Sequence, residues 1–259
     1  MNTAALRVLL TLTLLSHGLP TLAAGENDAN LVEAVGRGDK HIIKLMTDMG
    51  ANPRGTDQSG NTAVLAAAAQ GNLALARKYA DLGSDIDRKG GNGFTPLGIA
   101  ALNGDVRMVE FLIKSGAELD TRNDNGGTAL TNALEAGHYR VADLLLKAGA
   151  DVDIANRDGM TPLMLVLQED KPDVALLDGV LARKPDLRAT DLEGRSVLFI
   201  AILQHNQSVA ERLLAMGANP NQLAMGYLPL HWASVFGEPV IAKLLEVAGA
   251  KPARLARGV

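Results

Sequence analysis

The chain has 259 residues, 47% of them apolar but only 3% aromatic, so any core must be built from Ala, Leu, Val and Ile. Its 25 basic and 29 acidic residues leave a net charge of −4 with no run of Lys or Arg. Phosphate-backbone affinity needs clustered cations, so nucleic acid is excluded as a partner. There is no cysteine, which excludes disulfides, thiolate metal sites and Cys nucleophiles.

The first segment carries targeting information. Arg7 stands before the apolar run Val8 to Leu15, which Ser16, His17, Gly18 and Pro20 break. Leu22-Ala23-Ala24 then supplies small residues before Gly25. This is a signal-peptide pattern over 1–24, cleaved after Ala23 or Ala24; an uncleaved anchor is the alternative. The apolar run is far short of the ~20 residues that span a bilayer. The expected mature chain is periplasmic or secreted, with no membrane insertion.

Downstream, a period governs the sequence. Thr62, Thr95, Thr128 and Thr161 fall at equal intervals, followed by Ser196 and Leu228 in the same column. Two places earlier stand Gly60, Gly93, Gly126, Gly159, Gly194 and Gly226. Five places later stand Ala67, Ala100, Ala133, Val166, Ala201 and Ala233. Gly71, Gly104, Gly137 and Gly237 mark the middle of four repeats, and Gly83, Gly116, Gly149, Gly217 and Gly249 mark the ends of five. The expected boundaries are 57–87, 88–120, 121–153, 154–187, 188–221 and 222–252. Residues 29–53 form an N-terminal cap repeat that keeps Leu31, Ala34, Gly38, Leu45 and Gly50-Ala51. Together they make one domain over 25–253, followed by a tail at 254–259.

Each repeat predicts a turn and two helices. The Thr or Ser hydroxyl caps the first helix by accepting from an orphan backbone N–H. Pro96, Pro162 and Pro229 follow the cap, where a missing N–H costs nothing. In the second repeat Asn103-Gly104 ends a first helix over Pro96 to Leu102. Val106, Val109, Leu112 and Ile113 then line one face of a second helix. Such a pair cannot bury both apolar faces alone, so successive repeats must stack.

Gly93-Phe94-Thr95-Pro96-Leu97-Gly98-Ile99-Ala100-Ala101 through Gly116-Ala117 resembles an ankyrin repeat almost position for position. Leu228-Pro229-Leu230-His231-Trp232-Ala233 resembles the family's T-P-L-H-x-A signature with one change. The resemblance implies an all-α solenoid of about seven helix-turn-helix repeats joined by β-turn loops. It also implies a protein-binding role rather than catalysis. At the His231 position it implies an imidazole bonded to neighbouring turn backbones. Exported ankyrin proteins include accessory factors that protect periplasmic enzymes. They also include immunity proteins that inhibit secreted toxic effectors such as phospholipases.

The fourth repeat departs from the pattern at Asp170-Lys171-Pro172 and at Lys184-Pro185. Two readings stand: a locally remodelled outer helix, or a bend that offers a distinct surface. The fifth repeat drifts at Arg195-Ser196-Val197 and His205-Asn206, which should lower its stability.

No catalytic constellation emerges. His41, His138, His205 and His231 are too far apart in sequence for a helical metal pair. His138 and His205 are expected in water beside interhelix turns. Gly90-Gly91-Asn92-Gly93 lacks the Lys and hydroxyl of a phosphate loop. Asp158 and Asp191 fall in turns with no calcium loop around them, and Asp85-Ile86-Asp87 and Asp151-Val152-Asp153 are expected as solvated loop ends. No metal or cofactor is expected.

Binding is expected on the concave surface of turns and first helices. The residue before the cap is Phe94, Met160, Arg195 or Tyr227 in four repeats. Aromatic and Arg side chains are frequent interface anchors, and these four are the expected partner-binding residues. Phe94 and Tyr227 could instead fold back over a turn. Trp232, in the column of Ile99 and Ile200, is expected mainly in the core.

Overall fold

The computed structural model describes residues 24–168 and 173–252. The expected signal peptide before Ala24, the tail at 254–259 and the Asp170-Lys171-Pro172 irregularity lie outside the described residues. Among the described residues there are fourteen helices and no strand beyond isolated bridges, an all-α repeat architecture.

Contacts divide the chain into two compact bodies, one ending at Asp85 and one beginning at Ile86. The first holds α1 (Ala24–Arg37), α2 (Lys40–Asp48), α3 (Ala63–Ala69) and α4 (Leu73–Asp81). The second holds five helix pairs: α5 (Pro96–Leu102) with α6 (Val106–Lys114), α7 (Ala129–Glu135) with α8 (Tyr139–Ala148), and α9 (Pro162–Leu167) with α10 (Val174–Leu181). The last two pairs are α11 (Val197–Leu203) with α12 (Gln207–Ala215), and α13 (Pro229–Val235) with α14 (Pro239–Val247).

The expected caps form. Thr62, Thr95, Thr128, Thr161 and Ser196 each accept from the backbone N–H three residues on, at 3.1–3.4 Å. A cap of this type contributes ~1 kcal/mol. Leu228 has no side chain able to do this, and Pro229 starts α13 without it. The turn before four of these five caps is built from a residue whose role the sequence left unread. Asp57, Asn123, Asn156 and Asp191 each accept two backbone N–H groups through one side-chain oxygen, from the residues two and four places on. The carboxylate or amide thereby stands in for a turn carbonyl.

In the first body α1 packs on α2 and α3, and an added Cβ on Gly36 would lie 3.6 Å from the Ala66 methyl. Small residues let these helices approach closely. Leu31, Val35, Ile43, Ala67 and Ala76 fill the interior. Tyr79 is also buried, and its hydroxyl has no hydrogen-bond partner. The neighbouring Thr47 hydroxyl donates to the Ile43 carbonyl instead. Burial raises the phenol above its ordinary value near 10. The folded state therefore keeps this proton at pH values where the unfolded chain loses it. Its contribution to stability is complete below about pH 10 and is lost as pH rises through the raised value. Tyr79→Phe is expected to abolish this alkaline loss. Removing the orphan hydroxyl should leave the body as stable or more stable near neutrality, by up to about 1 kcal/mol. Urea unfolding of both proteins near neutrality and above about pH 10 measures the difference.

In the second body consecutive first helices stack on one another, as do consecutive second helices except α10 and α12 of the fourth and fifth repeats, which are linked by the Arg212–Asp178 ion pair. Leu97, Leu130, Leu163 and Leu198 are all buried. The loops between repeats are tied by a ladder of carboxylates. Asp87 accepts from the Glu118 N–H at 2.8 Å, Asp120 from Asp151 at 3.0 Å and Asp153 from Asp186 at 2.8 Å. These loop ends are not simply solvated, as expected from sequence; each joins one repeat to the next. His138 and His205 are likewise engaged. The His138 Nε2 sits 3.1 Å from the Leu102 carbonyl, and His205 pairs with Glu238 at 2.5 Å. Both contacts bridge adjacent repeats. The turn tips also join directly, through Arg157 N–H to Asn125 and Leu192 N–H to Asp158, each at 3.0 Å.

The outer helix of the irregular fourth repeat forms as α10, capped by Asp173. Lys184 and His205 take the left-handed backbone, with φ of 55° and 53°, where other repeats carry glycine. A side chain in that region is strained, which gives the drift of the fourth and fifth repeats a physical cost. At the sixth repeat the columns facing onward change chemistry. Phe199 meets Trp232 of the following repeat, and Leu146 reaches toward Gly179. The corresponding sixth-repeat residues are His231 and Glu246.

Candidate functional site

The residue before each cap turns out to have a local task. In Phe94 and Tyr227 the side chain leans back over the first turn of its own helix. Phe94 is half-buried, and an added Cβ on Gly98 would lie 3.5 Å from its ring. Met160 is only 4% exposed and occupies the core. It cannot serve as a surface anchor without displacement, which corrects its place among the expected binding residues. The Arg195 side chain is 25% exposed; it pairs with Asp191 at 2.6 Å and Glu193 at 3.2 Å, stapling its own turn. Tyr227 is 47% exposed and stacks on His231 with ring centroids 4.5 Å apart. The four residues stand in four different repeats, and no contact joins them.

Tyr227 instead belongs to an aromatic group spanning the fifth and sixth repeats. Trp232 is its centre. Its ring meets Phe199 edge-on at 5.3 Å, Tyr227 edge-on at 5.6 Å and Phe236 in a stack at 5.6 Å. Its indole N–H donates to the Ala224 carbonyl at 2.9 Å. Trp232 is half-buried, so the expectation of a core tryptophan holds for only part of the ring. Among the described residues no hydrogen bond is made by the His231 ring, contrary to the role its position implied. The tryptophan ties helix to turn there instead.

The sixth turn explains the change. The other turns close over three residues ending in glycine, as from Asp57 to Asn61. The sixth is one residue shorter, with reciprocal backbone bonds between Ala224 and Tyr227. Met225 and Gly226 both have positive φ, 51° and 82°, the geometry of a two-residue hairpin turn that favours Asn-Gly. Met225 is thus held in strain and 52% exposed. Met225→Asn is expected to stabilise the second body by about 1 kcal/mol while removing an apolar contact from the surface. A thermal melt measures the first effect.

Around this group the surface is apolar. Leu192 at the fifth turn tip is 78% exposed, Leu223 and Met225 flank the sixth tip, and Leu203 and Val235 end α11 and α13. In the third and fourth repeats the same columns are polar, although the second repeat keeps Leu102 in the column of Leu203 and Val235. Asp124 and Arg157 hold the place of Leu192, while Glu135 and Gln168 hold that of Leu203 and Val235. Sequence reasoning missed these five residues; comparison of columns between repeats is the signal that would have found them. At the border Arg195 is paired with Asp191 and Glu193, and the His205 ring is hydrogen-bonded to Glu238. Among the described residues no group of three or more His, Cys, Asp or Glu could hold a metal ion. A shallow cleft of about 320 Å³ between the second and third repeats is lined by Gly104, Gly137, His138 and Arg140.

A stack of paired helices with one exposed apolar face is the build of a protein–protein interaction module. The chain matches the family described as Ankyrin repeats (3 copies) over residues 31–123, 65–156, 97–177 and 171–254. It belongs to the ankyrin-repeat family, whose members are interaction scaffolds that bind other proteins. Among curated proteins, no match is found.

Proposed function

We propose that the chain is an exported interaction module that binds an envelope protein through the fifth and sixth repeats and acts as an accessory factor for a periplasmic enzyme. The observation that carries the binding reading is the exposed aromatic and aliphatic face around Trp232, on a scaffold whose other turn tips are polar. Hot-spot residues at interfaces are of this kind, enriched in Trp and Tyr. Export is supported by Arg7, the apolar run Val8 to Leu15 and Leu22-Ala23-Ala24.

Two measurements test the proposal. The intact mass of the chain recovered from a fractionated envelope should correspond to cleavage after Ala23 or Ala24; a cytoplasmic, uncleaved product would refute export. Affinity capture with the tagged mature chain should enrich an envelope enzyme whose activity survives binding. Loss of that activity on binding would instead support the immunity role.

A further inference from the structure

The docking face has a definite electrostatic character. The accessible residues of α11 and α13, Leu203, Leu230, His231, Trp232, Ser234 and Val235, include no Asp, Glu, Lys or Arg. Neither does the sixth turn, Leu223 to Tyr227. At the border, Arg195 is held by Asp191 and Glu193, and Glu238 is hydrogen-bonded to the His205 ring. In the third and fourth repeats the same surface carries Asp124, Glu135, Arg157 and Asp158. The contrast therefore arises within one molecule, between repeats of the same design.

Resting on the interaction reading above, we propose that this face takes an uncharged apolar segment of the partner protein. A charged segment docked here would give up water and meet no charge on the sixth turn or on the accessible parts of α11 and α13, while Arg195 is already paired with Asp191 and Glu193. An uncharged apolar segment gives up little and gains from covering Leu192, Leu203, Met225, Tyr227 and Val235. The strained turn at Met225 holds one of these side chains outward, where a relaxed Asn-Gly turn would offer none. Binding without charge partners is also nearly indifferent to salt, because screening acts on exposed charge pairs.

The probe is a phage-displayed library of random peptides of about twelve residues, panned on the mature chain with counter-selection on Val235→Asp. The expected consensus contains aromatic and aliphatic residues and no Lys, Arg, Asp or Glu. A synthetic peptide of that sequence should change affinity less than about two-fold between about 50 and about 500 mM salt. It should lose at least about ten-fold on Val235→Asp, and similarly on the double variant Leu203→Ser, Met225→Ser, with circular dichroism confirming that each folds. A charged consensus, a steep salt dependence, equal enrichment on Val235→Asp or no enrichment overturns the proposal. So does self-association in sedimentation that Val235→Asp abolishes, since the occupant would then be a second copy. A charged consensus alongside successful capture of an envelope protein refutes only this inference; failure of capture refutes the broader reading.

Discussion

Replacing Gly159 with alanine is expected to cost the second body roughly 2–4 kcal/mol, whereas Gly137→Ala should cost about 1–2 kcal/mol. Both glycines have positive φ, 77° and 72°, so each alanine pays the left-handed backbone penalty. They differ in what a methyl would meet. Around Gly137 there is nothing within 4 Å. At Gly159 the new carbon would lie 2.9 Å from the Asp191 Cα, 3.0 Å from the Leu192 nitrogen and 3.1 Å from the Asp191 carbonyl carbon. All three are backbone atoms of the next turn, so no rotamer change relieves the clash. The tip of the fifth repeat must move, and the Leu192-to-Asp158 bond that joins the tips is the first contact threatened. At ~2–4 °C per kcal/mol for a body of this size, Gly159→Ala should melt clearly below Gly137→Ala. Equal melting temperatures would show that the turns are not packed on one another in solution.

That comparison also shows why the glycine columns were legible and other features were not. A positive φ, or an orphan N–H at a helix start, is a local demand of the backbone. Gly60, Gly159, Thr62 and Thr161 answer it in the sequence wherever the turn recurs. The carboxylate ladder is different. Asp87 and Glu118 lie about a repeat apart, and an aspartate in a polar loop has the same sequence signature whether it meets water or a neighbour's N–H. The four expected anchors divide for a further reason. Phe94, Met160, Arg195 and Tyr227 share a column, but the space beside each one decides its fate. Gly98 leaves room for the Phe94 ring, Asp191 captures Arg195, and Met160 sits in the core. The apolar face was hidden by the opposite bias. Leu203 and Val235 end strongly apolar helices, and apolar residues there are assigned to a core by default, although a folded surface retains much apolar area.

The residue that joins stability to this face is Phe199. It is 2% exposed and meets the edge of Trp232 across the boundary between the fifth and sixth repeats. Phe199→Ala should destabilise the second body by roughly 3–5 kcal/mol, through lost burial and the cavity left behind. The aromatic contact itself accounts for about 0.5–1.5 kcal/mol of pairing energy. Trp232 would keep its bond to the Ala224 carbonyl but lose the ring that fixes its tilt, so the face should loosen even where the fold survives. Trp232 is the only tryptophan in the chain, which makes its fluorescence a direct reporter. The expected result is a red-shifted emission before unfolding, a lower melting temperature, and weaker binding at temperatures where circular dichroism still shows a folded protein. Phe199→Leu fills most of the volume without a ring and should recover most of the stability but less of the binding. If the leucine variant binds as well as the unchanged chain, the aromatic contact serves packing alone, and the docking face does not depend on how Trp232 is held.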